Sequence, residues 1–281
     1  MGILDWKNMN LDIVELRHVV LGKSWNTSQK TWLKLFPYVR IYFPVDGHGI
    51  LQYKEKTVEM TRGNMYLIAA MSDVNQMCDD QLEKYYIHFS ILVDNVPQDH
   101  FLFRPGITEI ALEDFEFVKK LFEMAIHGTK QQNAYIQKLQ LDSAAKLIIS
   151  YFLQDSELHI ESTSQNTLMN LLFYINANLN KKLTLQNLAE YSGLNPSYLS
   201  RSFHKQFHIK LFDYIEFYRA VAAMKYLLSN QYSIGEIADL TGFTNVAMLS
   251  KSFKYRFGVP PATFRKIMKE NPEEFNKNQY P

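Results

Sequence analysis

Leu188-Ala189-Glu190-Tyr191-Ser192-Gly193-Leu194 is echoed forty-nine residues later by Ile237-Ala238-Asp239-Leu240-Thr241-Gly242-Phe243. A second echo follows in step, Leu199-Ser200-Arg201-Ser202-Phe203 against Leu249-Ser250-Lys251-Ser252-Phe253. Each copy predicts a short helix, a turn holding one glycine, and a second helix with a basic residue on its outer face. That is a helix-turn-helix, and its second helix is the part that fits a major groove.

The residues around each copy agree with this reading. Gly193 and Gly242 allow a close crossing of two helices. Leu188, Leu194, Leu199 and Phe203 supply the apolar lock in the first copy, and Ile237, Phe243, Leu249 and Phe253 in the second. Thr184 is placed to cap the first helix, and Asn195 before Pro196 the second. Ser233-Ile234-Gly235-Glu236 spells a capping box that opens the second copy. Between the copies, Leu211 to Ser229 predicts one long amphipathic helix of nineteen residues, spanning roughly 28 Å at ~1.5 Å per residue. That length brings two recognition helices to successive major grooves, about 34 Å apart. The outer faces offer Ser197, Ser200, Arg201 and Lys205 in the first unit, and Asn245, Ala247, Ser250, Lys251 and Lys254 in the second. These are candidate contacts to base edges and phosphates. Pro260-Pro261 opens a last helix that runs to about Lys269.

Charge divides the chain in the same way. Residues 1–164 carry 16 Lys and Arg against 21 Asp and Glu, a balance of −5, whereas 165–281 carry 14 against 8, a balance of +6. A net charge of +1 therefore conceals an acidic half and a basic half, as expected of a chain whose C-terminal part meets nucleic acid. With 281 residues there is room for two domains. A single cysteine, Cys78, rules out an internal disulfide framework and suits a reducing cytoplasm. No apolar run reaches the ~18 residues of a membrane span, and the start lacks the pattern of a secretory leader.

Upstream the signal changes to β. Tyr38 to Val45, Gly49 to Lys54, Thr57 to Met60, Met65 to Ala69 and Lys84 to Val93 are short aromatic and β-branched runs parted by turn residues. They predict a small barrel or jelly roll. Helices follow over Leu112 to His127 and Ala134 to Leu153, then a polar, Ser-rich stretch. The expected organisation is a barrel over 1–110, helices over 111–154, a linker over 155–165, the tandem helix-turn-helix over 166–270 and a tail over 271–281.

Taken together, Ile237-Ala238 through Gly242-Phe243, Leu249-x-Lys251-x-Phe253-Lys254, Phe257-Gly258-x-Pro260-Pro261 and Phe264-Arg265 resemble the signature of the AraC/XylS family of bacterial transcription regulators. Leu188-Ala189 and Pro196-Ser197-Tyr198-Leu199-Ser200-Arg201-x-Phe203 match it in the first unit. The resemblance covers about 166–270. It carries the family's DNA-reading positions to Ser197, Ser200 and Arg201 and to Ala247, Ser250 and Lys251. Three departures stand out: Asn245 lies where the family often has Asp, Ala247 where it often has Ser, and Lys251 where it often has Arg. Lysine lacks arginine's rigid bidentate fork. Base reading is therefore expected mainly from the first unit, with Arg201 foremost.

The resemblance implies an α+β fold: a cupin-like β-barrel with a helical dimerisation segment, then an all-α domain with two helix-turn-helix units. It also implies promoter DNA, a homodimer, RNA polymerase and a small effector as partners, in the cytoplasm with the nucleoid, and no membrane. Alternation along strands puts Arg40 with Tyr42, and Tyr86 with His88, on one face. By resemblance to sugar-responsive members, Trp32, Gln76 and Tyr86 fall near ligand positions. These six side chains are the candidate effector site; the plainer reading makes them core. The helix Ala134 to Leu153 either joins two barrels or packs on its own. His48 lacks the His-x-His and Glu set of metal-binding cupins, so neither metal nor other cofactor is expected. Asp79 and Asp80 disfavour a Cys78 thiolate. A barrel enzyme with a DNA-binding tail is the rival reading, and an effector-free architectural binder a third.

Overall fold

A computed structural model describes residues 9–23, 25–27, 38–70, 72–93, 96–130, 132–153, 163–207 and 209–270. Among them, 9–153 form one compact unit and 163–270 a second.

The first unit is built on a large antiparallel sheet. Its strands are β1 (Met9–Gly22), β2 (Val39–Gly47), β5 (Asn64–Ile68), β7 (Gln81–Val93), β8 (Val96–Pro97) and β9 (Ile107–Ala111). The order is β1-β7-β2-β5-β9, with β8 on the end of β7. A small sheet holds β3 (Gly49–Tyr53), β4 (Lys56–Met60) and β6 (Asn75–Met77) in the order β4-β3-β6. The expected barrel is thus present as two sheets: among the described residues no ladder closes them into a ring. The register of β2 on β7 slips at Pro44/Asp46, where proline has no N–H to give; pairing resumes to Gly47, and the chain then passes through His48 into β3 of the small sheet.

Burial on both sides of β2 explains how the large sheet is held. Val39, Ile41 and Phe43 join Met65, Leu67, Ile87, Phe89 and Ile91 on one face. Two helices cover that face, α2 (Phe115–Gly128) through Val118, Leu121 and Phe122, and α3 (Ala134–Ser150) through Ala145, Ile148 and Ile149. Phe43 and Phe122 stack with centroids 5.4 Å apart. Burying each such side chain stabilises by about 1.5–3 kcal/mol. Asp114 and Asn133 cap the two helices by accepting from Phe117 N and Tyr135 N. A short α1 (Asp99–Leu102) precedes β9. Its Asp99 is buried, accepts from Ile91 N at 2.8 Å, and has its carboxyl pushed up to about 7 by that burial.

The strand β1 is absent from the sequence expectation, for a physical reason. It pairs with β7 along nearly its whole length, but a bulge between Ile13 and Glu15 shifts the register midway and breaks the alternation that marks a strand.

The second unit is all helical. It contains α4 (Thr163–Ala177), α5 (Leu185–Ser192), α6 (Pro196–Phe207), α7 (Leu211–Ser229), α8 (Ile234–Leu240), α9 (Val246–Phe257) and α10 (Pro261–Glu270). The helix α7 is the central rod and touches α4, α6, α8, α9 and α10. It buries Leu211, Tyr214, Ile215, Phe217, Ala220, Ala223, Met224 and Leu227, more than one face of it. No helix among the described residues is long and apolar enough to cross a membrane.

Candidate nucleic-acid interface

Each helix-turn-helix is assembled by short-range bonds that the sequence spells out. In the first, Thr184 Oγ1 accepts from Asn187 N at 3.2 Å while Asn187 Oδ1 accepts from Thr184 N at 2.9 Å, a reciprocal capping box. Helix α5 ends at Gly193, left-handed at φ 66°, and Leu194 N donates back to Ala189 O at 3.1 Å. Asn195 Oδ1 then accepts from Ser197 N at 3.0 Å and starts α6. The second unit repeats the plan. Ser233 Oγ accepts from Glu236 N at 3.2 Å, and Glu236 Oε2 accepts from Ser233 N at 2.7 Å. Hydrogen bonding to the carboxylate from the Ser233 backbone, and then from its side chain, holds the Glu236 carboxyl below its ordinary value. Gly242 takes φ 77°, Phe243 N donates to Ala238 O at 2.9 Å, and Asn245 Oδ1 caps α9 from Met248 N at 2.9 Å.

Inward, Leu199, Phe203 and Phe207 anchor α6, and Leu249, Phe253 and Phe257 anchor α9. Outward, Ser197, Ser200, Arg201 and Lys205 are all exposed, as are Asn245, Ala247, Lys251 and Lys254. Ser250 is half-buried at the edge of its face, and the Asn245 oxygen is engaged by the cap. Arg201 Nε donates to Ser197 O at 3.3 Å, which lays the guanidinium along its own helix.

Three arginines hold this arrangement, of which the sequence reading named only Arg265, as part of the signature. Arg219 on α7 donates from Nε to Leu179 O at 2.8 Å and from Nη2 to Lys181 O at 2.7 Å, satisfying carbonyls just after α4. A Cβ at Gly242 would collide with Leu179 O and come within 3.0 Å of Arg219 Nε, so the entry to one unit and the turn of the other meet at this point. Arg256, only 4% exposed, ties α9 to α7. Its Nη1 donates to Ser252 Oγ at 2.7 Å, and its Nη2 lies 3.5 Å from Glu216 Oε2. Arg265 Nη2 donates to Tyr232 O at 2.6 Å and fastens α10 beside the start of the second unit.

In the N-terminal unit, the face of the large sheet opposite the helices is polar and aromatic. Arg40, Tyr42, Gln76, Tyr86 and His88 come together there, all buried. Tyr42 OH donates to Gln76 Oε1 at 2.8 Å, and Arg40 Nη2 to Ser72 O at 3.2 Å. Tyr86 and His88 rings lie 4.9 Å apart, and His88 Nδ1 is 3.5 Å from Glu15 Oε2. Trp32 lies outside the described residues. Two further members were not foreseen as site residues, Trp25 and Lys84, both fully buried. Lys84 Nζ sits 3.5 Å from the Tyr42 ring centroid and 3.9 Å from that of Trp25. Burial, with Arg40 adding, pushes the Lys84 and His88 pKa values well down. A signal for Lys84 existed: it shares the period-two face of Tyr86 and His88.

His48 lies partly exposed, with Nε2 3.7 Å from Glu59 Oε2. Among the described residues no three His, Cys, Asp or Glu side chains are grouped to hold a metal ion. Cys78 is buried, and burial, with Asp79 and Asp80 adding, pushes its thiol up.

Known proteins agree with this anatomy. A family model described as a helix-turn-helix domain matches residues 188–267. The bifunctional transcriptional activator/DNA repair enzyme AdaA of Bacillus subtilis is 38% identical over 106 residues, which are 38% of this chain and half the length of that relative. The HTH-type transcriptional activator AarP of Providencia stuartii is 31% identical over 120 residues, 43% of this chain and 85% of that protein. The Msm operon regulatory protein of Streptococcus mutans is 24% identical over 238 residues, 82% of this chain and 85% of that one. Among solved structures, ToxT of Vibrio cholerae with a bound unsaturated fatty acid aligns at TM-score 0.54 and 14% identity, over 90% of this chain and 95% of its own, a likeness of fold.

Proposed function

The chain belongs to the AraC/XylS family of bacterial transcription regulators, and from that premise we propose that it activates transcription by gripping promoter DNA with α6 and α9 under the control of a small effector held in the N-terminal unit. One observation carries the DNA-binding part. Two copies of one helix pair, locked to a single rod, each turn a basic face outward, Ser197-Ser200-Arg201-Lys205 on α6 and Ala247-Lys251-Lys254 on α9. Ser250 and Asn245 flank the second face. A monomeric grip of about two turns of duplex follows from the length of α7. Footprinting of a monomeric C-terminal fragment on a selected site tests it, and protection of only a few base pairs refutes the tandem grip.

The effector reading rests on Arg40, Tyr42, Gln76, Tyr86 and His88, with Trp32 beside them in sequence and Trp25 and Lys84 added by the fold. Aromatic faces that stack, next to amide and guanidinium donors, suit a small polar molecule of the sugar class. Binding must stabilise the folded state, so a sugar panel raises the melting temperature if the reading holds, and a flat response across the panel refutes it.

The same premise makes the chain a regulator rather than an enzyme, with RNA polymerase as the partner through which it activates. It also makes the protein a dimer. The helix α3 packs Ala144, Ala145, Ile148 and Ile149 on its own unit, yet leaves Tyr135, Leu139 and Leu147 exposed at 88%, 69% and 47%. That second apolar stripe supports a helix that serves both its own unit and a partner copy. Sedimentation of the full chain checks this, with Leu139→Glu expected to shift dimer to monomer.

A further inference from the structure

The tip of α9 carries no hydroxyl, whereas the tip of α6 carries two. Val246, Ala247 and Met248 form its first turn, and all three are exposed, Val246 at 43% and Met248 at 44%. The matching residues of α6 are Pro196, Ser197 and Tyr198. At 100° per residue the buried side of α9 is set by Leu249, Ser252, Phe253, Arg256 and Phe257. Ala247 and Lys251 then stand at the centre of the opposite side, with Met248 flanking; Val246 lies in line with the buried side and is exposed because it is the first residue of the helix. The Asn245 cap holds this turn from the front, and Arg256 bonded to Ser252 and paired with Glu216 holds the helix from behind.

The N-terminal residues of a recognition helix are those that meet base edges. Aliphatic side chains offer no hydrogen bond to the N7, O6 or N6 atoms of purines. The feature of the major groove they do complement is the C5-methyl of thymine. We propose that α9 reads thymine methyl groups through Val246, Ala247 and Met248, while Lys251 and Lys254 hold phosphates. This rests on the reading that α9 enters the major groove. It adds to the expectation that base reading comes mainly from the first unit: α9 also reads bases, by shape and apolar contact rather than by hydrogen bonds.

The test begins with selection of a binding site from random duplex by the full chain. The half-site whose base preference relaxes in Arg201→Ala is assigned to α6, and the other to α9. Each thymine is then replaced by deoxyuridine, which removes one methyl group and leaves pairing and phosphates unchanged. In the α9 half, at least one replacement is expected to weaken binding about fourfold, the worth of one buried methyl-sized group. A Val246→Ser/Met248→Ser chain is expected to bind the thymine and deoxyuridine sites alike, which separates base reading from loss of fold. Equal affinity of the unmodified chain for thymine and deoxyuridine sites overturns the inference while the DNA-binding reading stands. Failure to select any site overturns both.

Discussion

The two helix-turn-helix units share a plan and differ in how much freedom each retains. Gly193 has nothing within 4 Å of where a Cβ would stand, so only its left-handed backbone requires glycine. Gly242 has the same kind of backbone and also the Leu179 carbonyl and Arg219 pressed against it. Behind α9 stands the buried Arg256 with Ser252 and Glu216; the matching position of α6 is the half-buried, neutral Gln206. On the outer face the contrast reverses, since α6 offers Ser197 and Arg201 where α9 offers Ala247 and Lys251. The unit with hydrogen-bonding groups for bases is lightly fastened, and the unit fastened by buried charge shows the grooves an apolar tip. Hydrogen-bonding side chains and buried anchors thus fall to different copies of one motif.

The largest effect that can break this comparison is at the glycines. Gly242→Ala is expected to destabilise the C-terminal unit by more than ~3 kcal/mol, since the left-handed penalty adds to a backbone collision, whereas Gly193→Ala costs only ~1–2 kcal/mol. Urea unfolding of the two variants measures it, and equal midpoints would mean that the turns are equivalent after all. Next comes the buried anchor. Arg256→Met is expected to lose ~1.5–3 kcal/mol, the worth of hydrogen bonds to a charged group, while Gln206→Met changes stability by less than ~0.5 kcal/mol.

Binding sharpens the comparison on the outer face. Arg201→Ala is expected to lose ~1–3 kcal/mol of affinity and to relax base preference. Lys251→Ala is expected to lower the salt dependence by about one phosphate and leave base preference in place. Titrations at several salt concentrations separate the two, and equal loss of base preference in both variants contradicts the division. The smallest effect is in the caps. Glu236 has its carboxyl held low by the Ser233 bonds, so its contribution is full above the ordinary carboxylate pKa and is lost as pH falls through the lowered value. Asn187 does the same work without a titrating group. Glu236→Gln is therefore expected to remove part of the acid sensitivity of the second unit, and Asn187→Asp to introduce it into the first; hydrogen exchange at the two helix starts across roughly pH 3 to 6, on either side of the ~4.3 of a free glutamate side chain, reports it.

Legibility followed the range of the interactions. Caps, turn glycines and the Leu-x-x-x-Phe locks lie within a few residues of what they bond, so the C-terminal unit could be read nearly residue by residue. The polar face of the large sheet was half legible: alternation pairs Arg40 with Tyr42 and Tyr86 with His88, and the same period reaches Lys84. That Trp25 closes over Lys84 depends on a contact between distant segments, which no local pattern carries. The bulge hid β1, and the split into two sheets is a matter of long-range pairing. Arg219 and Arg256 read as surface residues on amphipathic helices, because what buries them comes from elsewhere in the chain.

The rod α7 has one more consequence, and it concerns phase. Both units pack on it, α6 with Phe203 on Tyr214 and α9 with Arg256 beside Asp213 and Glu216, so its sequence sets an angle as well as a distance. One residue added to its middle would turn everything beyond by 100° and advance it by ~1.5 Å. DNA turns by that angle over about three base pairs, given ~10.5 per turn. A flexible connection would let the second unit search for its groove; a continuous helix of nineteen residues cannot. If the proposed tandem grip holds, the spacing of the DNA site is set by a helix that need not touch DNA at all.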